Sequence, residues 1–164
     1  MKAHFTMFAA YNAWANRRLY EACASMSDEQ RKAEAGAFFN SLHETLAHLV
    51  LADRIWVHRF TGLGPTPTAS AGTEFDDFND MRAIRISVDA QLSEYVAALT
   101  ERGLERSMTY QPLTMPEQVT QPLATILAHV FNHQTHHRGQ CHHMLTAHGL
   151  DAPPLDLLVY QLET

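Results

Sequence analysis

Apolar residues recur along this chain at gaps of three and four, the period that places side chains on one face of an α-helix. The pattern holds over four long segments and predicts four amphipathic helices. Their predicted bounds are about 3–25, 41–60, 75–102 and 122–148. The first shows the pattern through Phe5, Phe8, Asn12, Ala15, Leu19, Ala22 and Met26, and the third through Phe78, Met81, Ile84, Val88, Leu92, Tyr95 and Leu99.

Residues suited to helix ends bound these segments. Ser41 and Glu44 have the spacing of a capping box, in which each side chain satisfies a backbone amide of the first turn. Pro122 fits the first turn of the fourth helix, where its missing amide hydrogen needs no partner, and Gly149 fits the left-handed position after that helix ends. The Gly- and Pro-rich run from Gly62 to Gly72 predicts an exposed loop.

The remaining segments are predicted to connect the helices. A linker through Gly36 follows the first helix, and two very short paired strands are predicted at Ser107–Tyr110 and Gln118–Thr120. Leu155–Leu162 is long enough only for a final turn or small helix. The sequence therefore predicts an all-α fold, a four-helix bundle with a short hairpin before the last long helix, in a single domain over residues 1–164.

Charge and composition exclude several classes of function. Eighteen acidic against twelve basic residues give a net charge of −6, and no stretch collects several Lys or Arg, so nucleic acid is not an expected partner. Charges or prolines break every apolar run, so we expect no membrane span, and Arg17 and Arg18 follow the first apolar stretch, unlike a signal peptide. Cys23 and Cys141 cannot form a disulfide framework, which favours a cytoplasmic location.

Histidine is unusual in both number and placement. The chain has eleven, and seven of them fall between residues 129 and 148. On the predicted fourth helix, histidines interrupt an otherwise apolar, inward-facing stripe. The stripe comprises Leu123, Ile126, Val130, His133, His137, Cys141, Met144 and His148. His136, His142 and His143 point away from it in a regular helix, and we expect them to be solvated.

His133, His137 and His48 are the candidate metal ligands. His133 and His137 lie one turn apart, so both imidazoles can reach one ion at about 2.0–2.1 Å, the Zn–N distance. His48 lies on the buried edge of the second helix, where the fourth helix can pack beside it. Taken alone, His48 could be an ordinary core histidine that donates to a backbone carbonyl. The His133/His137 pair could be a feature of surface composition. The inward register together with the one-turn spacing favours a metal site.

Two other kinds of metal site are disfavoured. His133-Gln-Thr-His-His137 lacks the glutamate that acts as base in His-Glu-x-x-His metalloproteases. No Glu-x-x-His pair is present, which excludes the carboxylate-rich di-iron site of ferritin-like bundles. The sequence therefore favours one metal ion with nitrogen ligands.

Three segments carry a family resemblance: Tyr11–Asn16 in the first helix, Leu46–Trp56 in the second and His129–Gln140 in the fourth. The most specific of their motifs is His-x-x-x-His-Arg-Gly-Gln in the fourth helix. Together they resemble the DinB family of bacterial damage-inducible proteins, over nearly the whole chain and in the expected order. The family name records induction by DNA damage and does not imply DNA binding.

This resemblance implies an up-down-down-up four-helix bundle, frequently a homodimer, with one divalent metal ion, often zinc or nickel, bound by three histidines. Matched motif to motif, the ligands are His48, His133 and His137. Relatives in the wider superfamily include thiol-dependent transferases and isomerases that use mycothiol, bacillithiol or glutathione. Many DinB proteins have no assigned activity.

Three histidine ligands leave at least one coordination position for water or substrate. A water there has its pKa lowered to about 7 and a thiol is deprotonated, so hydrolysis and thiol transfer are both compatible with the site. The superfamily resemblance favours a thiol-dependent transferase or isomerase with a low-molecular-weight thiol as co-substrate. The alternatives are a metal-dependent hydrolase, a non-catalytic metal-binding stress-response protein, and a plain interaction bundle whose histidines bind nothing.

For several other polar and aromatic residues, the sequence predicts roles other than direct metal binding. Cys141 is predicted to be a core residue and not a fourth ligand. Asn12 either supports a histidine or a ligand, or bonds to the backbone. Arg138 and Gln140 are predicted to cap or pair at the surface or at a dimer contact. The two tryptophans are predicted to be core or interface aromatics.

Overall fold

The computed structural model describes residues 1–64, 67, 75–113 and 115–164. Its long helices are α1 (Lys2–Cys23), α3 (Leu42–Thr61), α4 (Phe78–Ala98) and α6 (Leu123–Ala147). Its shorter helices are α2 (Asp28–Lys32), α5 (Glu101–Glu105) and α7 (Leu157–Glu163). The predicted all-α bundle is confirmed, with helix ends that differ from the prediction by only a few residues. Within the described ranges, no helix has both the length and the apolar character needed to cross a membrane.

Side-chain caps determine where α2 and α3 begin. Ser41 Oγ accepts a hydrogen bond from the Glu44 amide at 3.1 Å, which is one half of the predicted capping box. The other half is absent, because the Glu44 carboxylate accepts from Asn40 Nδ2 at 3.4 Å instead. A complete capping box occurs between Ser27 and Gln30. It starts α2 inside the segment predicted to be a plain linker.

The third long helix ends earlier than its apolar pattern predicts. Asp77 caps its start and the helix ends at Ala98. Thr100 then takes an extended conformation and accepts a hydrogen bond from the Gly103 amide at 3.0 Å, which caps α5. The predicted continuous helix to Arg102 is therefore divided into two helices.

The predicted hairpin connects α5 to α6. Strand β1 (Ser107–Tyr110) pairs antiparallel with β2 (Val119–Pro122), with Thr109 opposite Thr120. Pro122 is the last residue of β2 and has extended backbone, so it precedes α6 instead of occupying its first turn. The hairpin prediction is confirmed, and the Pro122 prediction is wrong by one position.

Two glycines follow long helices in left-handed conformation. Gly62 has a φ of 68° at the end of α3, and Gly149 has a φ of 72° after α6, as the sequence predicts for a residue just past a helix end. Residues 62–64 are exposed. Most of the rest of the predicted loop to Gly72 lies outside the described residues.

The four long helices run up-down-down-up. Helix α1 lies beside α4 and α6, and α3 lies beside the same two helices. The chain's amino terminus pairs with Glu101, just after α4, at 3.0 Å, so α1 and α4 are antiparallel. Phe60 and Tyr95 stack near the ends of α3 and α4, which are therefore parallel. Phe5 and Phe131 stack near the starts of α1 and α6, which are also parallel.

A polar layer crosses the bundle between two apolar clusters. One cluster is built around Leu19, Leu46, Met81 and Met144, and the other around Leu92, Val96, Leu123 and Val130. The layer lies between them on all four long helices. Its buried members are Asn12, Asn16, Asp53, Arg85, Asp89, Gln134 and Arg138.

Arg85 is the centre of this polar layer. Its guanidinium lies 2.8 Å from a carboxylate oxygen of Asp53 and 2.8 Å from one of Asp89. Asp89 also accepts hydrogen bonds from Asn12 Nδ2 at 3.1 Å and Asn16 Nδ2 at 3.0 Å. Burial lowers the pKa of Arg85, but the two carboxylates outweigh it, so the pKa is raised overall and the arginine stays charged.

This layer shows where Arg138 and Asn12 lie, and the surface prediction for Arg138 is wrong. Arg138 is only 2% exposed, not a surface or dimer-contact residue, and it donates hydrogen bonds to the side-chain oxygens of Asn12 and Asn16. Asn12 bridges Arg138 and Asp89, and among the described residues its side chain makes no hydrogen bond to a histidine or to the backbone. Both residues are paired with polar side chains on neighbouring helices.

Candidate metal centre

The three histidines singled out in the sequence meet at one point between α3 and α6. His133 Nε2 lies 3.2 Å from His48 Nε2 and 3.1 Å from His137 Nε2. In the part of the chain that the structure describes, these residues form the one group of three or more histidine, cysteine or acidic side chains whose ligand atoms all lie within 4.8 Å of one another. A metal ion could be held at this point.

The spacing of these nitrogens fits a single divalent ion. With metal–nitrogen bonds of about 2.0–2.1 Å, two nitrogens this far apart subtend about 100° at the ion, between the octahedral and tetrahedral angles. Two neutral imidazole nitrogens at 3.1 or 3.2 Å also require a proton or a cation between them, because facing lone pairs repel. The histidines are therefore arranged as ligands would be.

Gln140 sets the orientation of the His137 ring. His137 Nδ1 donates to Gln140 Oε1 at 2.7 Å, which directs the lone pair of Nε2 toward the other two histidines. Metal-binding histidines commonly make such a bond with their second nitrogen. Gln140 also pairs at the surface, as predicted, since its Nε2 lies 3.4 Å from Nε2 of the exposed His136. The prediction did not include its bond to His137. Its three-residue spacing from His137 is the sequence signal that could have identified this role.

Burial favours the neutral form of all three imidazoles. Desolvation, assisted by the nearby His137, lowers the pKa of His48 to about 4. Desolvation and the neighbouring histidines lower the pKa of His133 to about 3. Burial also lowers the pKa of His137, against an opposing effect of the Gln140 hydrogen bond. Since metals bind neutral imidazole, the cluster is in its ligating form at neutral pH.

Phe39 covers one side of the cluster. A tight turn, closed by a 2.9 Å bond from the Asn40 amide to the Ala37 carbonyl, holds it just before α3. Its ring stacks on His48 with centroids 4.1 Å apart and lies 5.4 Å from His137. Phe39 therefore shields the histidines from solvent on this side.

The cluster is open to small molecules elsewhere. His48 and His133 are only half-buried. A cavity of about 460 Å³ borders His48 and is also lined by Phe39 and Glu44. The site therefore has room for a ligand beside it.

The other histidines of α6 surround the cluster without joining it. His129 is exposed and its ring lies 5.8 Å from that of His133, while His136 is exposed and lies 4.8 Å from His137. His143 is exposed, as predicted, but His142 is half-buried. His148 is exposed because it lies beyond the end of α6, so its predicted place on the inward stripe is wrong.

Cys141 and the two tryptophans are core residues, as predicted. Cys141 is fully buried in one apolar cluster together with Cys23, and burial raises its pKa well above the usual value for a thiol. Trp14 and Trp56 are both buried. Cys141 is not among the side chains that converge with the three histidines.

Comparison with known proteins gives the family. The DinB family pattern matches residues 1–164. The chain belongs to the DinB family. It is 25% identical over 162 residues to Protein DinB of Bacillus subtilis (strain 168), a match that covers 94% of this chain and 91% of the relative.

The fold is also similar to that of a solved structure. A DinB-like protein from Bacillus cereus ATCC 10987 matches 88% of this chain and 91% of its own, with a TM-score of 0.66 and 18% identity. This likeness supports the DinB-like bundle fold.

Gln140→Leu removes the acceptor that orients His137. We therefore expect it to weaken the affinity of the three-histidine cluster for zinc by about 10- to 100-fold. Gln140→Glu, which retains an acceptor oxygen, is the matched control and should bind zinc at least as well as the wild type. Competition titration with a zinc chelator measures both. Equal affinity of Gln140→Leu and wild type would contradict the assigned role of Gln140.

The lowered pKa values also predict how the stability of the metal-free protein depends on pH. His48 and His133 have pKa values of about 4 and about 3 in the folded chain, below the value of about 6.5 for an unfolded histidine. The unfolded state therefore binds more protons below this value, and the free energy of unfolding should fall as the pH drops from about 6.5 to about 4. Urea unfolding at a series of pH values should show a shallower fall in His133→Gln. If the free energy of unfolding fell equally with pH in the wild type and in His133→Gln, the prediction would be contradicted.

Proposed function

We propose that this DinB-family chain binds one divalent metal ion, zinc or nickel, through Nε2 of His48, His133 and His137, and uses it in a thiol-dependent transfer or isomerisation. The supporting observation is the convergence of three neutral imidazole nitrogens at a point that remains accessible. Histidine nitrogens suit both metals.

An ion with three imidazole ligands keeps at least one open position, and it acts there as a Lewis acid that lowers the pKa of a thiol or water. Residues of the chain orient the ligands around this open coordination position and limit its contact with water. Gln140 holds His137 in its ligating orientation, and Phe39 limits water on one side. The cavity beside His48 provides space for the thiol or its acceptor.

The accessible site favours an enzyme over a purely structural metal protein. A structural site is normally closed by protein ligands, whereas two of these histidines are half-buried and a cavity borders one of them. Among the described residues, no carboxylate joins the converging group, so the ion would have only nitrogen ligands from the protein. A homodimer, a role in stress and a cytoplasmic location remain predictions from the sequence.

We would test the activity with protein loaded with zinc or with nickel. Glutathione, bacillithiol and mycothiol are each supplied with the electrophile 1-chloro-2,4-dinitrobenzene, and conjugation is followed by absorbance. We expect a metal-dependent rate with at least one thiol. Chelation should abolish this rate, and so should His133→Ala.

His143→Ala is the matched control, since it removes an exposed histidine from the same helix. It should retain the full rate. A rate that is the same for wild type, His133→Ala and thiol alone would contradict the proposed activity. Metal binding itself would then be judged separately, by metal content.

A further inference from the structure

A second cavity lies on the face of α6 opposite the three histidines. Its volume is about 660 Å³, within the range of about 300–1,000 Å³ typical of small-molecule sites. We call it the α1/α6 cavity, because α1 and α6 form its walls and residues 154–157 close it. At 3.6 residues per turn, Phe131, Thr135 and His142, which line it, lie about half a turn from His133 and His137. A ligand here would not touch the metal cluster.

Aromatic side chains line part of the α1/α6 cavity. Phe8 stacks on Phe131 with centroids 5.9 Å apart, and Tyr11 lies beside Phe8 at 6.3 Å. The Tyr11 hydroxyl donates to the Leu155 carbonyl at 2.6 Å, which fastens the closing segment to α1. The cavity therefore offers a fixed apolar surface for a flat or chain-like ligand.

Arg138 is the buried charge of this cavity. Its Nη1 donates to two asparagine oxygens and its Nη2 to Thr135 Oγ1 at 3.3 Å, while its buried Nε has no hydrogen-bond partner. All of these partners are neutral. Within the described ranges, no carboxylate lies within 4.0 Å of its guanidinium, whereas Arg85 has two such carboxylates. The carboxylates of Asp53 and Asp89 act on the Arg138 charge only from beyond this distance. Arg138 therefore carries a positive charge that no carboxylate of the described residues contacts directly.

We propose that the α1/α6 cavity binds a small apolar carboxylic acid, whose carboxylate pairs with Arg138 and whose body packs on Phe8 and Phe131. The pairing is charge-assisted, and because Arg138 is only 2% exposed, the carboxylate meets it at the inner end of the cavity. Among the residues that the structure describes, Asp156 is the one acidic residue lining the cavity, and it is exposed at the segment that closes it. This inference does not depend on the proposed metal function.

The test uses 4-phenylbutyrate and indole-3-acetate as probes, with 4-phenylbutanamide as the neutral counterpart of the first. Isothermal titration calorimetry with the full chain should show saturable binding of at least one acid. The amide should bind at least about tenfold more weakly than 4-phenylbutyrate, because it carries no charge for Arg138. No saturable binding of either acid, or equal binding of acid and amide, would overturn the proposal.

Gly139→Leu tests the location without altering Arg138. Gly139 lines the cavity, and a Cβ atom added there meets no other atom within 4 Å, so the larger side chain can enter the cavity without disturbing α6. We expect binding of the acid to weaken by at least about tenfold, and Thr146→Leu, on an exposed part of the same helix, to bind as the wild type does. Wild-type binding by Gly139→Leu would overturn the proposal. The proposal would also be overturned if the wild type were a dimer and Gly139→Leu a monomer. A second copy of the chain, and not a small acid, would then occupy the cavity.

Discussion

Replacing Arg85 by methionine is expected to lower the free energy of unfolding by about 3–5 kcal/mol at neutral pH. The change would leave the carboxylates of Asp53 and Asp89, both buried, without the cation that now lies 2.8 Å from each. Burial already raises the pKa of Asp53, and Arg85 is the main effect that opposes it. Urea unfolding followed by circular dichroism measures the loss.

The pH dependence of this loss separates a charge effect from a packing defect. Without Arg85, the pKa of Asp53 should rise further. Protonation would then relieve the penalty, so the deficit relative to wild type should shrink as the pH falls from 7 toward about 4. Arg82→Met, one turn earlier at a half-buried position, is the matched control and should stay within about 0.5 kcal/mol of wild type. A deficit that does not change with pH would contradict the electrostatic explanation.

His133→Ala is expected to abolish stabilisation by zinc while leaving the metal-free protein folded. A ligand that binds only the folded state, at a concentration about 100 times its Kd, adds about 2.7 kcal/mol to the free energy of unfolding. His133 lies within 3.2 Å of both other candidate ligands, so its loss removes the centre of the cluster. Thermal unfolding with and without zinc should therefore show an upward shift in wild type only.

His143→Ala should show the same zinc-induced shift as wild type, because this histidine is exposed and outside the cluster. An equal shift in His133→Ala would mean that zinc stabilises the fold from another place. The metal-free stability of each variant is measured in the same experiment. It shows whether loss of the shift reflects lost binding or a damaged fold.

The helices and the histidine cluster could be predicted because both depend on local helical geometry. A three- and four-residue period identifies the buried face of each helix, and His133 and His137 occupy that face at one-turn spacing. His48 could be added because it lies on the buried edge of the neighbouring helix. The three residues indeed meet between α3 and α6.

The polar layer was missed because a charged residue on a helix is ordinarily solvated, and its pairing partners lie on other helices. Arg85 and Asp89 are four residues apart, and the apolar pattern places both beside the buried stripe. Nothing local indicates that Asp53 from α3 and two asparagines from α1 complete their contacts. The same holds for Arg138, whose two asparagine partners lie more than 100 residues earlier in the chain.

Helix ends were predicted less well. The spacing of apolar residues does not show where a single capping side chain starts or ends a helix. The apolar pattern of the third helix continues through Leu99, yet one bond from the Gly103 amide to Thr100 starts a separate helix. In the predicted linker, Ser27 and Gln30 form a complete capping box that was not recognised. In both places a polar side chain sets the end of the helix.

Metal content tests the central claim most directly. Protein prepared without an affinity tag would be analysed for zinc and nickel by elemental analysis, as wild type and as His48→Ala, His133→Ala and His137→Ala. We expect about one ion per chain in the wild type, and a loss of that ion in each variant, because three ligands hold it. A wild-type protein that contains no ion and takes up neither zinc nor nickel would contradict the account.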